Sequence, residues 1–252
     1  MATHFYGLIP DVPDPRDFQF ATLRPPAKLP PLVDLRHLCS PVRDQGQLGS
    51  CTGFAIAVGL REFMENKMNG SLVKLAPLFV YYEERSLENT VKQDAGAQIR
   101  DGMKVLTGMG CAPETDDPYN IKVFTKAPSA KAIRDATKFK ATSYHRVRSL
   151  ADMQACLADG NGFVLGIKVY ESFESAPVAR TGKVPMPQPH EKLLGGHAVF
   201  AAGYKMDAKA PGGGYFTVKN SWGKGWGDSG YFYLPFEFAN TGLISDAWTA
   251  LM

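Results

Sequence analysis

Four residues in this chain have the types and the order that thiol-based acyl chemistry requires. Cys51 follows the turn Gly49-Ser50 and opens a run in which Phe54, Ala55, Val58, Phe63 and Met64 mark an apolar stripe. A cysteine at the mouth of a helix points its sulfur at unpaired backbone N–H groups and at the positive end of the dipole, which favours the thiolate. Gln45 sits upstream in a Gly-rich turn, from which its amide could donate to an oxyanion beside the Cys51 N–H. His197 follows Gly195-Gly196, where a base has open space on one side. Asn220, at the end of the next strand-type run, can accept from the second imidazole nitrogen and fix the tautomer, with Trp222 covering that bond from water. Taken singly, such a cysteine is usually a small buried hydrophobe and such a histidine a core residue. Gln, Cys, His and Asn together, each in its own context, point to an oxyanion donor, a nucleophile, a base and its orienter.

The elements that must position these residues can be read from periodicity. Helices are expected over Cys51 to Lys67, with Ser50 as the cap, over Pro77 to Glu88 after a first-turn proline, and over Ile99 to Met109. Strands are expected over Phe163 to Tyr170, His197 to Tyr204, Tyr215 to Lys219 and Gly230 to Leu234. A helical first half and a strand-rich second half give an α+β chain with two lobes. Residues 1–31 hold seven of the eighteen prolines, Pro25-Pro26 among them, and read as an extended arm. The stretch from Lys122 to Arg148 carries eight Lys or Arg against one acid, Asp135, and reads as a solvated helical face.

The segments Asp34-Leu35-Arg36, Pro41 to Gly46 and Gly49-Ser50-Cys51, with Gly196-His197-Ala198 and Lys219 to Gly227, resemble the papain family of cysteine peptidases. The likeness is strongest to bacterial members with a DQGQLGSCT box. It runs from about Leu32 to the C-terminus, so residues 32–252 form the catalytic domain and residues 1–31 an arm or short pro-segment of a zymogen. The resemblance implies Cys51 as nucleophile, His197 as general base and acid, Asn220 as orienter and Gln45 as oxyanion donor, acting through a thioester. It also implies a papain-like two-lobed fold, with a helical left lobe, a β-barrel-like right lobe and the active site in the cleft between them. Gly96 falls where the family pairs its substrate backbone. Gly195 and Ala198 leave room for the side chain preceding the scissile residue, and Trp222 completes the substrate-binding set. Departures are Thr52 where plant and lysosomal members usually have Trp, Leu48 where they have a disulfide cysteine, and Gly196 where plant members often have Asp.

Composition bounds the partners. The net charge of +3 is too small to footprint a polyanion, so nucleic acid is not expected, and no apolar run approaches a membrane span. Cys39, Cys51, Cys111 and Cys156 make no zinc pattern, and no metal or cofactor is expected. Cys39, Cys111 and Cys156 are read as buried thiols, and His4, His37, His145 and His190 as surface or packing residues. The expected protein is a monomeric cysteine endopeptidase acting on peptides or proteins. It is expected to be cytoplasmic, or exported without a classical signal peptide. Two alternatives are an acyltransferase or deamidase built on the same constellation, and a non-catalytic binding module. The arm either inhibits by lying in the cleft or straps the fold.

Overall fold

A computed structural model describes residues 4–20 and 29–252; residues 1–3 and 21–28 of the arm, the Pro25-Pro26 pair among them, lie outside the described residues. Cys51 begins a continuous helical rod made of α1 (Cys51–Gly53), a wider π segment (Phe54–Arg61) and α2 (Glu62–Asn69). An amphipathic helix was the expectation, yet residues 51–65 are all buried. The rod lies between other helices and the sheet, so both of its faces are covered. Its charges are paired in place: Arg61 Nη2 reaches Glu65 at 2.6 Å, and Glu62 meets Arg43 at 2.6 Å. Gly59 permits the close approach to the sheet, since a Cβ there would lie 2.5 Å from Phe200 Cβ. Helices α3 (Pro77–Leu87) and α4 (Ile99–Gly108) complete the helical lobe.

Among the described residues, the second lobe is a seven-stranded sheet. Its strands are β2 (Leu32–Asp34), β4 (Ser143–Arg146), β5 (Phe163–Tyr170), β6 (Leu193–Met206), β7 (Gly214–Lys219), β8 (Tyr231–Pro235) and β9 (Ile244–Leu251), ordered β4-β9-β5-β6-β7-β8 with β2 against β6. Every pairing in it is antiparallel. The end strands β4 and β8 do not pair, so the expected barrel-like lobe is an open sheet. Ala198, Phe200 and Ala202 of β6 pack toward the rod, and Val199 and Ala201 toward a second core with Phe216, Val218 and Trp226. β6 starts at Leu193 rather than at His197, because Gly195 and Gly196 are themselves in register with Val169 and Lys168.

The basic stretch is not one helical face. It holds the short helix α5 (Ala130–Ala136) and then β4, whose Arg146 turns inward to Asp17 and Asp246. The arm's described residues 4–14 are extended, as expected, and they are also docked: β1 (Leu8–Ile9) pairs in parallel with β3 (Ala97–Gln98).

Candidate active site

Cys51 lies at the start of the rod, and the backbone N–H groups of Ala198, Gly7 and Thr52 point at its sulfur. Ser50 stands at the N-cap position without a side-chain cap; its hydroxyl bonds Tyr119 Oη at 2.7 Å instead. Tyr119 Oη also donates to the Gln45 carbonyl at 2.7 Å, so one phenol ties the turn before Cys51 to the helix start. Gln45 is fully buried. Its Oε1 accepts from Ser221 Oγ at 2.6 Å, which leaves the amide N–H groups to donate to Leu48 O at 2.9 Å and Phe5 O at 3.2 Å. His197 Nε2 meets Asn220 Oδ1 at 2.8 Å. Trp222 stacks on the imidazole with ring centroids 4.8 Å apart.

The remaining substrate-binding candidates line the same cleft. Gly96 has φ of +75°, and a Cβ there would lie 2.3 Å from Gly7 O. Its N–H is taken by Tyr81 Oη, so the strip pairs with the arm through Ala97, whose N–H donates to Gly7 O at 2.8 Å. Gly195 and Ala198 do not share a pocket, because residues three apart on a strand point to opposite faces. Gly195 lies under Tyr6, where a Cβ would be 2.8 Å from Tyr6 Cβ, whereas Ala198 shares its side with Gly196, which lies against Leu8.

Arm residues 4–8 therefore lie along the cleft. Leu8 occupies the pocket by Gly196, Gly166 and Ile99. Gly7 crosses the thiol so tightly that a Cβ would fall 1.6 Å from Gly49 O. Tyr6 donates to Glu174, and burial, followed by that carboxylate, pushes its hydroxyl pKa upward. His4, expected as a surface or packing residue, stacks on Trp222 with centroids 3.7 Å apart and bonds Glu174 at 3.3 Å. No spacing in the sequence linked His4, Tyr6 or Glu174 to the catalytic set; the Gly at position 7 between aromatic and aliphatic neighbours was the one local sign of a tight crossing.

Burial reverses the expected electrostatics. Burial pushes the Cys51 thiol up to about 11, outweighing the N–H groups aimed at it, with buried Glu84 adding to the rise. Burial likewise pushes His197 down to about 4, against the Asn220 bond and with repulsion from His4. Both partners are neutral near pH 7.

Residues 29–250 match the model of the papain family cysteine proteases, and the chain belongs to that family. It is a cysteine endopeptidase by that membership. It is similar to xylellain, a cysteine protease from Xylella fastidiosa, at 36% identity and a TM-score of 0.86, over 99% of this chain and 96% of that structure. An uncharacterised peptidase C1-like protein of Acanthamoeba polyphaga mimivirus is 34% identical over 96% of this chain and 85% of its own length. Cysteine proteinase 3 of Entamoeba histolytica is 26% identical over 84% of this chain and 64% of its own.

Proposed function

We propose that the chain is a latent cysteine endopeptidase, with Cys51, His197, Asn220 and Gln45 as its machinery and the N-terminal arm as its inhibitor. The supporting observation is the passage of residues 4–9 through the cleft directly over Cys51. On this reading Cys51 Sγ gives its proton to His197 and attacks the scissile carbonyl carbon. The oxyanion takes hydrogen bonds from Gln45 Nε2 and the Cys51 backbone N–H. His197 protonates the leaving amine, then deprotonates the water that cleaves the thioester. Asn220 holds the imidazole in the tautomer both steps use.

The arm blocks this chemistry without being consumed by it. It offers the sulfur the Gly7 N–H in place of a carbonyl carbon, and the Phe5 carbonyl takes the Gln45 amide. The four unpaired thiols suit cytoplasmic residence, which is part of the same reading.

Gly7→Ala tests it, since the added methyl has no room against Gly49. Full-length Gly7→Ala should hydrolyse an internally quenched peptide library at least roughly 10-fold faster than wild type, the equivalent of about 1.4 kcal/mol of lost arm docking. Adding Cys51→Ala should abolish turnover. Equal rates in Gly7→Ala and wild type would refute inhibition by the arm, and turnover surviving Cys51→Ala would remove the nucleophile.

A further inference from the structure

Resting on the reading of this cleft as a peptidase cleft, we propose that Glu174 selects the substrate on the leaving-group side of the scissile bond, accepting a hydrogen bond from a tyrosine hydroxyl. The arm marks the two sides. From Gly7, over Cys51, Leu8 leads to Ala97 and the pocket beside Ala198, the acyl side; Tyr6 and His4 lead the other way, past His197 to Trp222. Glu174 closes that second half.

Its position is set by the core and not by the arm. Glu174 ends the turn Glu171–Glu174 that follows β5, and its neighbour Phe173 is wedged among Trp222, Trp226 and Phe232 at ring separations of 5.6, 5.5 and 5.2 Å. The carboxylate thus stands at one end of a slot floored by Trp222. Gly195 gives the slot its width, because a Cβ there would strike Tyr6. With the arm in place the Glu174 side chain is 8% exposed and receives the His4 N–H, the His4 imidazole and the Tyr6 hydroxyl. When the arm leaves, these donors leave with it.

A substrate tyrosine restores both halves of this contact, the ring on Trp222 and the hydroxyl on the carboxylate. Phenylalanine would lie on Trp222 equally well but would offer the Glu174 carboxylate no hydrogen-bond donor. An acidic residue would be repelled by Glu174, with Glu171 and Glu191 on the same rim, where they accept the backbone N–H groups of Lys192 and Ser172. Glu174 is accordingly a specificity residue, outside the bond-breaking set.

Binding can be read without turnover in the full-length chain carrying Gly7→Ala and Cys51→Ala. Calorimetry compares peptides with leucine on the acyl side and Tyr, Phe or Glu at each of the first three leaving-side positions. At one position Tyr should bind roughly 10-fold or more tightly than Phe, the scale of a hydrogen bond to a charged group, and Glu should bind weakest. Glu174→Ala should erase the Tyr preference, and Glu174→Gln should keep part of it. Equal binding of Tyr and Phe, a preference that survives Glu174→Ala, or no binding of any peptide overturns the assignment. Hydrolysis of the same peptides by the Gly7→Ala chain with Cys51 intact separates this from the wider reading. Discrimination in binding without cleavage would sink the peptidase reading and leave Glu174 selective, whereas cleavage at equal rates would do the reverse.

Discussion

Ser221 shows how far a single hydroxyl reaches in this site. By donating to Gln45 Oε1 at 2.6 Å it decides which end of the amide faces the cleft. In the Gly7→Ala chain, Gln45→Ala should lower kcat by about 100- to 1,000-fold with KM little changed, as for other single oxyanion donors. Ser221→Ala should give a smaller loss of the same kind, because the amide can then flip. A rise in KM with unchanged kcat would move Gln45 from the transition state to ground-state binding. Thr52, where plant relatives usually have Trp, serves the core instead, donating from its hydroxyl to fully buried Glu84 at 2.6 Å. Burial pushes Glu84 well above the usual carboxylate range, and its other oxygen has no partner among the described residues. Thr52→Val should therefore cost about 1–3 kcal/mol, read as a lower denaturant midpoint at constant slope. Cys51, His197, Asn220 and Gln45 could be singled out in the sequence because each carries its proposed role in its own side chain and stands beside a glycine-marked turn or at the edge of an apolar run; the structure places His197 within β6 and not at its start. Glu174 could not be singled out, since its meaning comes from Phe173 packing among aromatics distant in the chain.

Among the elements, the extended arm is one whose docking should respond to pH. His197 has an ordinary value of 6.5 that burial lowers to about 4, and the arm adds to this through His4, which repels its charge, and Tyr6, edge-on to the ring. Docking through this group is complete above about 6.5 and weakens as pH falls toward about 4, because the open cleft takes up the proton first. Asp11 works in the opposite sense: burial, followed by repulsion from Asp246, raises its carboxyl pKa, so its contribution to docking is present in acid and lost as pH rises. Asp11→Asn should isolate the histidine. In that variant, hydrogen-exchange protection of the Ala97 amide, which donates to Gly7 O, should fall between pH 6.5 and 4 after correction for intrinsic rates. Wild type should change less. Unchanged protection in Asp11→Asn would show that His197 is not coupled to the arm. The same arm defines the limit of periodicity as a guide. Phe163–Tyr170 was readable to the residue because apolar residues fill a strand covered on both faces, whereas β1 is two residues long and exists only through β3. Likewise the rod showed its stripe, but full burial depended on neighbours that its own sequence does not encode.

At the scale of the whole molecule, the arm belongs to the ion network of the sheet as well as to the cleft. Arg146, on β4, holds Asp246 of β9 at 2.7 Å and Asp17 of the arm at 3.2 Å. Arg100, on α4, holds Asp17 at 2.7 Å and donates to the Val12 carbonyl at 2.6 Å. Asp11 accepts the Arg100 N–H and the Trp248 indole, which joins the arm to the start of α4 and to β9. The proposed inhibitor and the strap are thus one segment: residues 4–9 lie over the thiol, and residues 11–17 fasten them to both lobes. Arg146→Met keeps the length of the side chain and removes the charge, leaving Asp246 and Asp17 buried with one cation fewer. Loss of one partner from a buried pair costs about 3 kcal/mol or more, roughly 6–12 °C in Tm at this chain length. Because the lost contact spans arm and sheet, the same variant should also show faster peptide hydrolysis than wild type at 25 °C. A lower Tm with unchanged hydrolysis would mean that residues 4–9 hold the cleft without the network, and that fastening and inhibition are separable. Faster hydrolysis with an unchanged Tm would mean that Arg146 secures the arm alone and contributes nothing to the sheet.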